Sequence, residues 1–255
     1  MTTIYKPGVL AGKTAFIAGG SSGINFGIAR AFAMAGANLA IISRSAERVA
    51  NAVDELKAAG HNALGYSADV RDYDAVAQSL QATHQQFGDI DIVVSGAAGN
   101  FLAPANKLSA NGFKTVVDID LLGTFNVFRA SFEYLRKPGA SLIAITAGQA
   151  DRPKQSQIHA CAAKAGVNMV TKCLALEWGE YGVRVNGISP GPIEDTEGMK
   201  RLAPSIEAET ALKRVIPLRR YGTKTEIADL AIFLSSDAAS YITGSIMTCD
   251  GASNL

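Results

Sequence analysis

A chain of 255 residues, of which 48% are hydrophobic and 18% charged, is long enough to form a packed α/β core. The formal net charge is only +1, so the composition provides no field that would hold nucleic acid or an anionic membrane non-specifically. No apolar run reaches the roughly 18 residues that a membrane span needs.

Three features of the sequence indicate a compartment. The N-terminal residues lack the basic and apolar regions of a signal peptide. The three cysteines, Cys161, Cys173 and Cys249, show no metal-like spacing, which predicts free thiols in a reducing environment and no metal site. The final Ser-Asn-Leu differs from the Ser-Lys-Leu peroxisomal address. We therefore expect a cytoplasmic protein.

Strand-like and helix-like segments alternate from residue 14 onward. The predicted strands are 14–18, 38–42, 63–68, 91–95, 141–146, 183–189 and 245–249, and the predicted helices are 24–35, 46–59, 72–87, 115–136, 158–180 and 225–235. Repeated β–α units require parallel strands with helices on both faces and right-handed crossovers. No linker or internal repeat divides the chain. The prediction is a single-domain, Rossmann-like, doubly wound parallel sheet of about seven strands over residues 1–255.

The first predicted strand leads into a glycine-rich turn that opens the first predicted helix. Glycines let the backbone approach a pyrophosphate, and the helix N-terminus presents free N–H groups and the positive end of its dipole. A tight turn of this kind needs glycine in any protein, so a purely structural reading stays open. Its position after the first strand of a βαβ run favours a dinucleotide site. The candidate cofactor residues are Gly19, Ser21, Ser22, Gly23 and Ile24.

The residues after the second predicted strand indicate which dinucleotide binds. NAD-preferring sites usually place Asp or Glu there for the ribose 2′-hydroxyl. This chain has Arg44, with Arg48 four residues later. Arginine binds a 2′-phosphate through charge-assisted hydrogen bonds, whereas a carboxylate would repel it. Two solvated cations at a helix start are the alternative interpretation. The pattern favours NADP(H).

The turn and several later segments resemble the short-chain dehydrogenase/reductase family. Gly19 and Gly23 match its Gly-x-x-x-Gly-x-Gly turn, with Asn25 in place of the third glycine. The resemblance implies further cofactor contacts on three segments, which stand where the family contacts adenine, where it shows Asn-Asn-Ala-Gly, and where it forms the nicotinamide-side turn. Their residues are Asp69 and Val70, then Ala97 and Gly99, then Pro190, Gly191 and Ile193.

The family's catalytic pattern is retained only at its lysine. Lys164 stands at the lysine of the Tyr-x-x-x-Lys motif, but Ala160 occupies the tyrosine position, Ala147 the serine position and Asp120 the asparagine position. A positioned acid contributes roughly 10²–10⁴-fold to a reduction that protonates an oxygen. Reduction of a conjugated thioester instead produces an enolate that needs hydrogen-bond stabilisation, and its proton ends on carbon. The missing tyrosine therefore favours conjugate reduction.

The closest resemblance is to peroxisomal-type 2,4-dienoyl-CoA reductases. It rests on the stretches AAGNFLAPANKLSANGFKTVVDIDLLGTFNV, HACAAKAGV, LALEWGEYGVRVN and PGPIEDTEG. The resemblance implies hydride transfer from NADPH to C5 of a 2,4-dienoyl-CoA and protonation at the α-carbon, which leaves a 3-enoyl-CoA. It also implies catalytic roles for Lys164, which binds the nicotinamide ribose, and for Asp120 and Asp250, which relay through a water. The family further implies acyl-CoA contacts at Arg71, Phe101, Ser109 and Asn111, and a homotetramer.

Several alternatives remain open at this point. Asp120 could pair with a nearby cation, Asp250 could only shape a turn, and Arg71 could cap a helix or pair with Asp72 or Asp74. His159, beside the vacant tyrosine position, is more often structural than catalytic. Another short-chain oxidoreductase, acting on an enoyl-CoA or a ketone, and an NADP(H)-binding protein with little catalysis are the competing functions. Acyl chain length is expected to depend on residues 196–219.

Overall fold

Seven parallel strands form one sheet. The structure is a computed structural model that describes residues 5, 6, 8–203 and 205–255, with no side chains described for residues 200–202. The strands are β1 (Thr14–Ala18), β2 (Asn38–Ser43), β3 (Ala63–Ser67), β4 (Ile92–Ser95), β5 (Ser141–Ile145), β6 (Arg184–Pro190) and β7 (Ile246–Cys249). Their order in the sheet is β3-β2-β1-β4-β5-β6-β7. The predicted doubly wound sheet is confirmed.

Helices cover both faces of the sheet, as the repeated β–α units require. The helices are α1 (Gly23–Met34), α2 (Ala46–Ala58), α3 (Tyr73–Phe87), α4 (Ala110–Val117), α5 (Gly123–Ser131), α6 (Ile158–Trp178), α7 (Glu197–Leu202), α8 (Ile206–Val215) and α9 (Lys224–Ser235). One core contains apolar residues of α1, α2 and α9, and the other contains those of α3, α5 and α6. Alternate strand residues supply the two cores: Ile17 and Ile41 face the first, and Phe16 and Ile42 face the second. Within the part of the chain that the structure describes, no helix is long and apolar enough to cross a bilayer.

The predicted helix 115–136 is wrong at both ends. It begins five residues earlier, at Ala110, because the Ser109 hydroxyl caps α4 by accepting the Gly112 N–H at 3.0 Å. A π-helical turn, Asp118–Leu122, joins α4 to α5. The helical run closes with a short 3₁₀ turn, and Arg136 then donates its backbone N–H to Ile90 beside the sheet.

The stretch 196–219, predicted only as a variable segment, contains two helices. The Thr196 hydroxyl caps α7 and the Ser205 hydroxyl caps α8. Both helices follow β6, whose carboxyl end lies at the same sheet edge as those of β1, β4 and β5. In parallel sheets with this architecture, ligands bind at that edge, where the strand order reverses.

Candidate active site

A cavity of about 810 Å³ lies at the carboxyl ends of the strands. Such a volume is typical of a ligand site. Of the residues predicted from the sequence to bind cofactor or substrate or to act in catalysis, fourteen line it: Gly19, Ser21, Ser22, Gly23, Ile24, Arg44, Arg48, Asp69, Val70, Ala97, Lys164, Pro190, Gly191 and Ile193. Seven others, Gly99, Asp120, Asp250, Arg71, Phe101, Ser109 and Asn111, lie outside its wall.

The glycine-rich turn has the geometry of a phosphate cradle. Gly19 and Gly23 have φ of 75° and 59°, the left-handed region that favours glycine. A Cβ on Gly19 would lie 2.9 Å from the Ala97 backbone, so this position also needs glycine for close approach. Ser22 makes no side-chain cap to α1, and the first turn of α1 holds no acidic residue. The free N–H groups of this turn fit an anionic pyrophosphate.

Two cations stand at the β2 end of the cavity. Arg44 and Arg48 both line the cavity, and neither guanidinium forms a salt bridge with a described residue. The Arg48 backbone N–H is used by the Ser45 hydroxyl to cap α2. Both side chains are therefore available for an anionic group, and they fit the 2′-phosphate of NADP(H).

Asp69 and Arg71 form a bidentate ion pair at the edge of the cavity. Arg71 Nε lies 3.0 Å from Asp69 Oδ1, and Arg71 Nη2 lies 2.6 Å from Asp69 Oδ2. Hydrogen bonding from the guanidinium lowers the pKa of the Asp69 carboxyl, and the pKa of Arg71 is raised in return. Asp72 instead caps α3 by accepting the Ala75 N–H. The cation beside the cavity is thus held by Asp69, and not by Asp72 or Asp74.

Lys164 and Asp120 form a buried ion pair in the floor of the site. Lys164 is 7% exposed and Asp120 is 2% exposed, and Lys164 Nζ lies 3.2 Å from Asp120 Oδ2. The ammonium also donates to the Ile145 carbonyl at 3.0 Å, and Asp120 Oδ1 accepts the Gly99 N–H at 2.8 Å. An ammonium has three N–H donors, so one remains for a group in the cavity that Lys164 lines.

No tyrosine hydroxyl lines the cavity. All seven tyrosines lie within the described residues, and none contributes to the wall. Ala160 is buried in a small cluster with Val116 and Ala163, and Ala147 lines the cavity with a methyl group. Tyr181 is 46% exposed and contacts Phe132 edge-to-face. The lysine is therefore present at the site without a phenolic acid beside it.

Comparison with known proteins assigns the family. A family model described as Enoyl-(Acyl carrier protein) reductase matches residues 18–253. The chain belongs to the short-chain dehydrogenase/reductase family.

Individual relatives agree with this assignment. The peroxisomal 2,4-dienoyl-CoA reductase [(3E)-enoyl-CoA-producing] of Rattus norvegicus is 46% identical over 252 residues, which cover 98% of this chain and 86% of that protein. A probable 2,4-dienoyl-CoA reductase [(2E)-enoyl-CoA-producing] of Bacillus subtilis is 38% identical and covers 94% of this chain and 95% of that one. A crystal structure of a short chain dehydrogenase from Bacillus anthracis superposes with a TM-score of 0.86 at 39% identity, covering 96% and 97% of the two chains. The resemblance seen in the sequence is confirmed.

Asp250 lies in the turn after β7. Its carboxylate accepts the backbone N–H groups of Ala252 and Asn254 and the side-chain groups of Ser253 and Asn254. The backbone of Asp250 lies against Gly191, where a Cβ would come within 2.6 Å of the Asp250 Cα. The carboxylate is occupied by its own turn, and it reaches the cavity wall through Ser253 and Asn254, which it binds, while the Asp250 backbone contacts Gly191.

The acyl-side candidates surround the start of α4 and α6. Phe101 is 42% exposed and stacks on His159, with ring centroids 4.5 Å apart. His159 is fully buried, and neither ring nitrogen has a partner among the described residues. The Ser109 hydroxyl is used as a cap, and the Asn111 carbonyl accepts from Thr115. Phe101, Ser109 and Asn111 are all exposed, and Phe101 is the one that offers an aromatic face to a ligand.

The sequence analysis expected residues 196–219 to affect acyl chain length but missed the helices α7 and α8, which form a wall of the cavity. Met199, Leu212, Val215 and Ile216 line the cavity and give it an apolar side. The signal was present in part, because the Ser205 cap precedes acidic residues in the first turn of α8 and apolar residues at helical spacing follow. The C-terminal Ser253 and Asn254 also line the cavity, and no sequence pattern indicated that.

Proposed function

We propose that this protein is an NADPH-dependent reductase of a conjugated acyl-CoA thioester, which converts a 2,4-dienoyl-CoA to a 3-enoyl-CoA. One observation carries the proposal: the buried Lys164–Asp120 pair is present at a cavity whose wall contains no tyrosine. The Rattus norvegicus relative, whose name gives a (3E)-enoyl product, supports both substrate and product, and the Bacillus subtilis relative, whose name gives a (2E)-enoyl product, supports the dienoyl-CoA substrate.

The cavity residues support NADP(H) as the cofactor. Bound NADPH would supply the hydride. The N-terminus of α1 would hold the pyrophosphate, Arg44 and Arg48 would hold the ribose 2′-phosphate, and the turn at Pro190 and Gly191 would contact the nicotinamide. A carboxylate at the end of β2, which would favour NAD, is absent from the sequence there.

The chain's own groups explain why a double bond is the favoured target. Ala160 and Ala147 cannot donate a proton to a ketone oxygen, so carbonyl reduction loses roughly 10²–10⁴-fold of acid catalysis. A dienolate needs only a hydrogen bond at oxygen while its α-carbon takes a proton from water, which leaves hydroxide to be neutralised by solvent. The free N–H of Lys164 holds a water or a cofactor hydroxyl, and Asp120 fixes the ammonium in place. Asp250 acts on the cavity indirectly, through Ser253, Asn254 and Gly191 in its wall.

The site supports acyl-CoA binding at its open side. Phe101 contributes an exposed aromatic face, and Arg71, held by Asp69, contributes a cation at the rim. The apolar wall from α7 and α8 receives the acyl chain.

We propose that the protein acts as a cytoplasmic homotetramer, supported by the free cysteines and by exposed apolar side chains on the π-helical turn, α5 and α6: Leu122, Phe125, Met169 and Leu176. Light scattering after size exclusion and imaging of the tagged protein test these two points.

The experiment compares NADPH oxidation with a 2,4-dienoyl-CoA, a 2-enoyl-CoA and a 3-ketoacyl-CoA. The proposal expects the highest kcat/KM on the dienoyl-CoA, with a 3-enoyl product by NMR. Turnover of the ketone alone would contradict it. Tight NADPH binding without any turnover would favour a cofactor-binding protein instead.

Variants of α6 make the experiment specific. Lys164→Ala is expected to abolish turnover because it removes the buried ammonium that pairs with Asp120, whereas Lys154, which also lines the cavity, is exposed. Lys172→Ala is the matched control, because Lys172 is exposed on the same helix and does not line the cavity. Circular dichroism establishes that both variants are folded.

A further inference from the structure

Asn25 fills the space between two glycine-containing loops. It lies in the first turn of α1, is 7% exposed, and stands where the family's turn has its third glycine. Its side-chain NH₂ donates to the Gly96 carbonyl at 2.7 Å, which joins the phosphate turn to the loop after β4. Because a carbonyl can only accept, the orientation of the amide follows from this bond.

The neighbouring glycines fit the Asn25 side chain. A Cβ on Gly96 would lie 2.3 Å from Asn25 Oδ1 and 2.5 Å from Nδ2, and one on Gly19 would lie 3.0 Å from Nδ2. Gly96 does not have a positive φ, so this contact, and not backbone strain, requires glycine there. Asn25 and Gly96 are therefore complementary in shape, because the Asn25 side chain fills the space that a Cβ on Gly96 would occupy.

The loop after β4 is held at both ends. Asn25 binds its first residue, Gly96, and Asp120 accepts the backbone N–H of Gly99 at the other end. Asp120 is in turn paired with Lys164. Two hydrogen bonds, joined by the backbone of residues 96–99, thus connect the N-terminus of α1 with the buried ion pair, and the loop between them, which includes Ala97, lines the cavity.

We propose that Asn25 is a positioning residue that holds the phosphate turn and the loop after β4 in one arrangement, so that the cofactor cradle and the Lys164–Asp120 pair are aligned. The proposal deepens the function proposed above, on which it rests for the identity of the cofactor. It also explains why position 25 is not glycine. The Asn25 amide joins α1 to the loop after β4 by a hydrogen bond, in place of the close helix packing that a glycine would allow.

A double-mutant cycle tests the pair, with the NADPH Kd from fluorescence titration and the melting temperature as readouts. Asn25→Gly is expected to raise the Kd about 3- to 10-fold, because it removes one hydrogen bond and the packing of the amide side chain. Gly96→Ala alone is expected to raise it by at least about tenfold, because its Cβ meets the Asn25 side chain. In the Asn25→Gly background, Gly96→Ala should cost little more, because the contact is gone.

A turnover measurement separates positioning from general destabilisation. At saturating NADPH and dienoyl-CoA, Asn25→Gly should lower kcat several-fold as well, since Asp120 and Lys164 lose their alignment. Two substitutions are the matched controls. Gly179→Ala adds a Cβ that contacts no atom outside its own turn. Asn62→Gly removes an exposed side-chain hydrogen bond, from Asn62 to Asn38, that lies outside the cavity.

Two results would overturn the proposal. The first is a wild-type Kd and kcat in folded Asn25→Gly, and the second is additivity of the two substitutions. The Kd and melting measurements need no acyl substrate, so they decide the role of Asn25 even if the wild-type protein reduces no dienoyl-CoA. If turnover is absent while the cycle is non-additive in Kd, the proposed reaction fails and the inference about Asn25 stands.

Discussion

Asp120→Asn tests how much the buried ion pair contributes to stability. The substitution removes one charge while preserving shape, and Asn Oδ1 can still accept the Gly99 N–H. It leaves the ammonium of Lys164, 7% exposed, without its anionic partner at 3.2 Å. Breaking a buried pair from one side costs about 3–5 kcal/mol. Because Lys164 keeps its bond to the Ile145 carbonyl, we expect the lower end, about 3 kcal/mol.

This free energy converts into a measurable shift. For a domain of this size, about 1 kcal/mol lowers the melting temperature by about 2–4 °C, so Asp120→Asn is expected to melt about 6–12 °C below wild type. Turnover of the dienoyl-CoA should weaken without being abolished. Differential scanning calorimetry and the NADPH oxidation assay measure the two effects on the same preparation.

Asp118→Asn is the matched control, two residues away in the same π-helical turn. Asp118 pairs with Lys114, whose side chain is 70% exposed, in an i,i+4 arrangement. Exposed pairs of this type contribute about 0.3–0.5 kcal/mol, so the control should melt within about 2 °C of wild type. If Asp120→Asn also melts within that range, the buried pair gives no net stability. If Asp120→Asn keeps full turnover, Asp120 has no part in the mechanism.

Three further predictions concern the cofactor, the substrate and pH. Arg44→Asp is expected to weaken NADPH binding about tenfold or more and to improve NADH binding, measured by fluorescence titration; unchanged preference would remove Arg44 from the 2′-phosphate site. Phe101→Ala should raise KM for the acyl-CoA about 2- to 10-fold while the NADPH Kd stays constant, because the exposed ring lies outside the cofactor cavity. Hydrogen bonding from Arg220 lowers the pKa of Glu226 from 4.5 to about 2. A carboxyl whose pKa is lowered in the folded protein stabilises the fold fully when the pH is above the ordinary pKa of that carboxyl. The difference in melting temperature between wild type and Glu226→Gln should therefore shrink as the pH falls from 4.5 to 2, and a constant difference would contradict this.

Some side-chain contacts of the site could be predicted from the sequence, and others could not. Lys164 was identifiable from its motif, and a cation partner for Asp120 was one open alternative, but only the packing of α6 against the π-helical turn brings the two together. Arg71 pairs with Asp69, two residues before it, because the chain turns between β3 and α3. The π-helical turn at Asp118 was not predicted, because such i→i+5 turns are rare insertions in α-helices and helical periodicity alone does not reveal them.

The amino-acid sequence by itself determined the order of the seven strands and of most helices, the phosphate turn, the two arginines after β2 and the missing tyrosine. These features depend on residue type and short spacing, which local propensity and periodicity express directly. The tertiary structure alone decided the partners of Asp120, Arg71, Asp250 and Asn25, and the placement of α7 and α8 against the cavity. Those contacts join segments distant along the chain or depend on how a turn bends, and they form only when the two layers of helices close on the sheet.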